Sequence, residues 1–300
     1  MPLYLGWLCL SVALRRLLAA RIRTVLITTR VSGDSALLAR LSPMLWLPVV
    51  IFLTGGLAQG SEFKLQRRPW VKSWIARRAR GAVAHATSFL DELKAAGFTG
   101  VGAQIGTIVD KEATAGDCVE ELPHAPGSPT LIWCGRNDPV KDLPALFRLF
   151  DGTLKSLGSP SLLVVVDEVP DGAPAGVEVH LNCPTPAIHM ARADVLLLTS
   201  RFEGQGAVIA EAAVEGTPTV AYAVGGIPET MHRLDGGETV TLGAPDMEFA
   251  DAVGRVWKRF TSPDQRHELA QRASQQFGSD PPEAWVRLLV HLLGQAKPAA

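Results

Sequence analysis

Cysteine, aromatic residues and any surplus of one charge are all in short supply in this chain of 300 residues. The four cysteines, Cys9, Cys118, Cys134 and Cys183, form no Cys-x-x-Cys pair. That excludes a legible disulfide framework or zinc site, and a reducing, cytoplasmic setting fits best. His85, His124, His180, His189 and His232 show no metal-ligand spacing, and no Asp-x-Asp occurs to hold a metal against phosphates. No metal or cofactor is therefore expected. A Gly-x-Ser-x-Gly nucleophile elbow is also missing. Net charge is only −1, which by itself says nothing of partners; no nucleic-acid partner is expected. Long apolar runs are lacking too. Residues 1–14 are apolar but short for a membrane span, and Arg15-Arg16 follows them, whereas a signal peptide carries its charge in front. A buried helix is the expected reading of that stretch.

What is present is globular: 47% apolar residues and 20% charged ones. Residues 1–120 hold 15 Lys/Arg against 8 Asp/Glu, whereas residues 121–300 hold 14 against 22. Such asymmetry suggests two units with different surfaces. The segment LPHAPGSP, residues 122–129, has three prolines and a glycine and reads as a linker. Two domains are expected, residues 1–123 and 124–300. In the second, strands are expected at 130–135, 161–166, 177–181, 194–199 and 219–223. Helices are expected at 143–154, near 186–192, and at 207–215, 246–260, 263–276 and 282–294. Continuous Val/Leu/Ile strands between helices imply an α/β fold, a parallel sheet covered on both faces. The front part is less regular, with strands expected at 23–29, 49–54 and 82–87.

The most informative stretch is RFEGQGAVIAEA, residues 201–212. A strand ends at Thr199, a loop follows, and a helix begins near Ala207. Open α/β sheets bind ligands at the carboxyl ends of their strands. Gly204 and Gly206 allow a close approach to the backbone, and the first amides of the helix make an anion site suited to phosphate. Glu211, one turn into the helix among alanines, would be satisfied by the two hydroxyls of a ribose. Glu203, before the helix, could reach a group beyond the phosphates. A bland alternative remains at this point: two solvated glutamates on a loop and a helix. A dinucleotide site fits poorly, because Gly204-x-Gly206-x-x-Ile209 lacks the third glycine of that fingerprint.

The longer run DVLLLTSRFEGQGAVIAEAAVEGTPTVAYAVGGIPE resembles the family 4 retaining glycosyltransferases, which have the GT-B fold. The residues that carry the likeness are Asp194, Ser200, Glu203, Gly204, Gly206, Glu211, Gly216, Pro218, Val220, Gly225, Gly226 and Glu229. The resemblance implies that Glu211 holds the nucleotide ribose, that Glu203 contacts the transferred sugar, and that the backbone of Gly206, Ala207 and Val208 meets the diphosphate. Gln205 stands where the family usually has Phe, a change in the sugar pocket.

Upstream, CGRNDPVKDL (134–143) places Arg136 and Lys141 five apart across an Asp138-Pro139 turn. On spacing alone these could be two surface cations. The segment is similar to the family's diphosphate clamp, which implies that both stabilise the charge of a departing nucleoside diphosphate. Two departures stand out. LLVVVDEV puts Val166 and Asp167 where the family has glycine, which crowds or changes that pocket edge. IGTIVD (105–110) keeps only Asp110 of the family's Pro-Asn-Gly-Val-Asp turn.

The likeness continues more weakly into the front, where GAVAHATSFLDELKAAG (81–97) looks like the last strand and helix of that domain. The family's opening strand and glycine-rich loop are not found, so the front domain is expected to be incomplete. The segment QRRPWVKSWIARRAR (66–80) carries six Lys/Arg with Trp70 and Trp74 four apart. It reads as a helix packing its aromatic face, with peripheral contact to an anionic membrane as the functional alternative. The expected function is transfer of a sugar from a nucleotide-diphosphate sugar to an acceptor hydroxyl with retention. The sequence leaves the acceptor open, with a lipid-linked molecule or a polysaccharide as the candidates. A non-catalytic nucleotide-sugar-binding protein or scaffold is the alternative.

Overall fold

A computed structural model describes residues 26–28, 49–53, 76–105 and 127–277, together with Ser73, Val109, Arg287, Val290 and His291. These fall into two compact units, residues 1–105 with 281–300, and residues 106–280. The linker expected at 122–129 is described only over 127–129. Trp70, Trp74, Asp110, residues 1–14 and most of the helix expected at 282–294 lie outside the described residues.

In the first unit, strands β1 (Leu26–Thr28), β2 (Val49–Leu53), β3 (Gly81–Ala84) and β4 (Val101–Gln104) pair in parallel, in chain order. Helix α1 (Thr87–Ala95) buries Phe89, Leu90 and Leu93 on this sheet. Strand β4 corrects the expectation that residues 81–97 form the last strand and helix here. Its four residues, VGAQ, offer too little apolar character to announce a strand. Of the basic segment, Ala76 and Ala79 are buried while Arg77, Arg78 and Arg80 are exposed.

The second unit holds six parallel strands: β5 (Thr130–Gly135), β6 (Ser161–Val166), β7 (Val177–Leu181), β8 (Val195–Leu198), β9 (Thr219–Tyr222) and β10 (Gly237–Val240). Their spatial order is β10-β9-β8-β5-β6-β7. From β5, strands β6 and β7 step outward to one side, and β8, β9 and β10 step outward to the other. This is the doubly wound order of dinucleotide-binding sheets, and it opens a crevice at the carboxyl ends of β5 and β8, where the winding reverses.

Side chains alternate along each strand, so the apolar runs serve both faces. Leu131, Trp133, Leu162, Val164, Val195 and Leu197 belong to one core. That core includes Leu146 and Phe150 of α2 (Leu143–Asp151) and Phe249 and Val253 of α6 (Asp246–Arg259). Ile132, Leu163, Val165 and Leu196 point the other way, onto Met190 of α3 (Pro186–Arg192) and Ala212 of α4 (Ala207–Val214). Helix α5 (Ile227–Leu234) and strand β10 were not expected from the sequence. The helix shows itself only through Ile227, Met231 and Leu234 at helical spacing, and β10 is four residues with one buried side chain. Helix α7 (Pro263–Phe277) closes the unit. Among the described residues no helix is long and apolar enough to cross a membrane.

At the amino ends of the strands, Asp194 accepts from the Thr130 amide at 2.7 Å and from Arg266 Nη2 at 2.8 Å. Arg266 also donates to the carbonyls of Ala193 and Phe260. Burial lowers the pKa of this guanidinium, with Asp194 opposing that shift. The pair locks β8 to β5 and to α7, at the end of the sheet remote from the crevice. Replacing Asp194 by alanine should therefore cost about 2–3 kcal/mol, less than a fully buried pair. Each partner keeps roughly a fifth of its side chain exposed, 23% and 22%. Urea unfolding followed by circular dichroism measures this, and an unchanged midpoint would show that the pair is dispensable.

Candidate functional site

Both walls of the crevice are loops that leave a strand at the winding reversal. After β5, Asp138 shapes the turn. Its carboxylate accepts from the Val140 amide at 2.9 Å, and its carbonyl accepts from the Lys141 amide at 2.8 Å. After β8, Thr199 is fully buried, and its hydroxyl donates to the carbonyls of Lys141 and Asp142 at 3.1 and 3.2 Å. The Arg201 amide donates to the Val140 carbonyl at 2.8 Å. Arg201 Nε donates to Asp142 Oδ2 at 2.5 Å, while Asp142 also caps α2 through the Ala145 amide. The two loops are thus stitched together by main chain and side chain.

A third loop, after β9, closes over the second. Gly226 donates its amide to the Gly204 carbonyl at 2.7 Å, and the Thr230 hydroxyl donates to the Gln205 carbonyl at 3.2 Å. Gly225 sits at φ +55, and a β-carbon there would fall 1.8 Å from the Glu203 carbonyl oxygen. Only glycine tolerates both that conformation and that approach.

These contacts set the position of Glu203. It is 8% exposed, and its Oε1 accepts from Lys141 Nζ at 2.5 Å and from the Ser200 hydroxyl at 2.8 Å. A buried carboxylate needs such partners to stay charged. Gln205 is buried at 4%. Gly206, at φ +71, is the N-cap of α4, and no side chain caps the helix. The amides of the first turn, Ala207 and Val208 among them, have no intrahelical carbonyl to meet and carry the positive end of the helix dipole.

Glu211 stands one turn into α4. It is exposed, yet burial is the main force on its carboxyl, raising its pKa, with Lys141 pulling it down. A group at the mouth of a hollow has both properties. Cys134, the penultimate residue of β5, is half-buried against the same surroundings. Its thiol is pushed up to about 12, first by burial and then by Glu211 and Cys183, with Lys141 opposing. Lys141, Glu203, Glu211 and Cys134 therefore share one electrostatic environment. Arg136 is exposed on the same loop as Lys141, and its side chain makes no ion pair with the described residues. Asp167, exposed just after β6, accepts from the Asn137 amide at 2.6 Å and steadies the Arg136 turn. Val166 turns into the core at 3% exposure and does not crowd the crevice.

The sequence motif also contained residues with other duties. Asp194 belongs to the far end of the sheet, and Glu229 pairs with Arg233 within α5 at 2.6 Å. Sequence reasoning missed Thr199, Asp142 and Arg201, the stitching residues. Only the αL geometry of Asp142 and the burial of Thr199 reveal them. Among the described residues no group of three or more His, Cys, Asp or Glu is arranged to hold a metal ion.

Residues 128–259, which contain this whole crevice, match the family described as glycosyl transferases group 1. A glycogen synthase of Chlorobium phaeovibrioides is 34% identical over 97 residues, 28% of this chain and 20% of that enzyme. The likeness thus spans about a fifth of that relative's length. Among solved structures, Anabaena HepE in complex with UDP superposes with a TM-score of 0.72 at 20% identity, covering 94% of this chain and 82% of HepE. Sucrose-phosphate synthase of Thermosynechococcus elongatus gives 0.70 at 16% identity, covering 95% and 78%. The lipopolysaccharide outer core galactosyltransferase WaaB gives 0.69 at 16% identity, covering 93% and 79%. At these identities the likeness shows the fold, the α/β fold of GT-B glycosyltransferases with parallel sheets and helices on both faces.

The raised carboxyl of Glu211 has a thermodynamic signature. A group whose pKa is higher folded than unfolded stabilises the fold while protonated and loses that contribution as pH rises through the folded value. Glu211→Gln should therefore be more stable than wild type at neutral pH. The gap should close as pH falls below about 4, the ordinary glutamate range. Melting temperatures of both proteins across pH 3–8 read this, and a constant gap would contradict it.

Proposed function

We propose that the chain is a glycosyltransferase that moves a sugar from a nucleotide-diphosphate sugar to an acceptor hydroxyl with retention of configuration, as the family 4 enzymes do. The observation that carries this reading is the meeting of Lys141, Glu203 and the uncapped start of α4 at the winding reversal, with Glu211 behind them. Cations, a helix start and two carboxylates answer the parts of such a donor in sequence: diphosphate, ribose and sugar.

In this reading the amides of Gly206, Ala207 and Val208 bind the diphosphate, and Gly204 lets it approach. Glu211 accepts hydrogen bonds from the ribose hydroxyls. As the bond from sugar to phosphate lengthens, negative charge grows on the departing diphosphate. Arg136 and Lys141 stabilise that charge more in the transition state than in the ground state. Glu203 orients the sugar, and buried Gln205 shapes its pocket. The acceptor attacks from the face the diphosphate leaves, with a leaving-group oxygen taking its proton, so no protein nucleophile is needed. No metal enters, since fixed cations and the helix dipole supply the positive charge. HepE has been solved with UDP and with UDP-glucose, so a uridine diphosphate sugar is the first donor to test. A lipid-linked or polysaccharide acceptor, a cytoplasmic setting and a membrane contact through residues 66–80 complete the proposal.

Titration calorimetry with UDP-, GDP- and ADP-sugars, followed by transfer and donor-hydrolysis assays, tests it. Glu211→Ala and Lys141→Ala should each weaken donor binding about tenfold or more, the loss of one charge-assisted hydrogen bond. Glu203→Ala should chiefly lower turnover. Wild-type binding and turnover in all three variants would remove the assignment. Donor binding without turnover in the wild type would favour the non-catalytic alternative.

A further inference from the structure

We infer that Glu203 is the counter-ion that a diphosphate must displace from Lys141, and that this exchange makes the site favour a sugar-bearing nucleotide over the bare nucleoside diphosphate. The inference rests on the nucleotide-sugar reading of the site and adds a selectivity device to it.

The ammonium of Lys141 lies 2.5 Å from Glu203 Oε1, with the two side chains only 20% and 10% exposed. Such a pair is shielded from the solvent screening that makes surface pairs nearly worthless. Neither residue is free to drift. Lys141 donates its amide to the Asp138 carbonyl, and its own carbonyl accepts from Thr199. The Glu203 carbonyl is packed against Gly225, and the next carbonyl is bonded to Gly226. The exchange therefore belongs to the side chains, on a fixed main chain.

A diphosphate drawing on Lys141 puts a second anion on one ammonium, next to Glu203. The two anions repel, and the lysine cannot serve both as well as it serves one. Ser200 donates to the same Oε1, so it can stay with the carboxylate when the lysine turns to phosphate. A bare diphosphate leaves Glu203 with that single donor in a poorly hydrated place, at a cost. A sugar brings hydroxyl donors that Oε2 can accept, which replaces what the lysine withdrew. Donor and product thus differ in how they leave Glu203, and release of the spent nucleotide is favoured as the lysine returns.

The experiment uses the full chain and inorganic pyrophosphate, a probe without base or sugar, alongside UDP and UDP-glucose. Glu203→Gln, of equal size, removes the competing charge, and Glu203→Ala serves as a second variant; circular dichroism confirms that both fold. Each should bind pyrophosphate more tightly than wild type, on the order of tenfold. The preference for UDP-glucose over UDP should shrink by a similar factor. If Lys141→Ala weakens pyrophosphate binding while both Glu203 variants bind it no better than wild type, the counter-ion role is overturned and the site reading stands. If Lys141→Ala leaves the binding of pyrophosphate, UDP and UDP-glucose all unchanged, or if neither wild type nor the Glu203 variants bind any of the three, the site reading itself fails and takes this inference with it.

Discussion

One buried hydroxyl carries much of this crevice. Thr199 follows its strand directly, with no exposure, and reaches across the winding reversal to two successive carbonyls, those of Lys141 and Asp142. Crevices of this kind form because neighbouring connections leave the sheet in opposite directions, which by itself would let the loops part. The Thr199 bonds, the Arg201 amide on Val140 and the Arg201–Asp142 pair hold them together. Only with the loops tied can a lysine from one and a glutamate from the other keep a distance of 2.5 Å. Everything proposed about charge at this site presupposes that stitch.

The legible part of the architecture was whatever repeated. Continuous apolar strands such as SLLVVV announced a sheet covered on both faces, and each of β5 to β9 falls within about a residue of the segment its composition marked. What escaped were short pieces whose stability comes from neighbours. VGAQ and GETV become strands because an existing edge offers them hydrogen bonds, not through their own propensity. The helix 227–234 hid behind a glycine pair and a proline, residues that usually signal a turn.

The site divides along the same line. Glu203, Glu211, Arg136, Lys141 and the glycines stood out through their likeness to a family motif, since spacing alone left them readable as solvated surface residues. Their duties could not all be told apart by pattern. Asp194 belongs to the same run of sequence yet serves the opposite end of the sheet, where it pairs with Arg266 from α7, 72 residues away along the chain. That contact depends on tertiary distance, which no local pattern encodes. The contact between Lys141 and Glu203 is likewise a product of the fold, joining residues 62 apart.

The latch between Gly225 and the Glu203 carbonyl has a consequence for how such a protein can diversify. With no room for even a methyl group at that point, the backbone beneath the crevice is frozen, and mutation cannot explore new pockets by moving it. Variation has to come from side chains that border the crevice without building it. Gln205, whose main chain is pinned but whose type is not dictated by the latch, is the position where a new preference could arise without dismantling the frame.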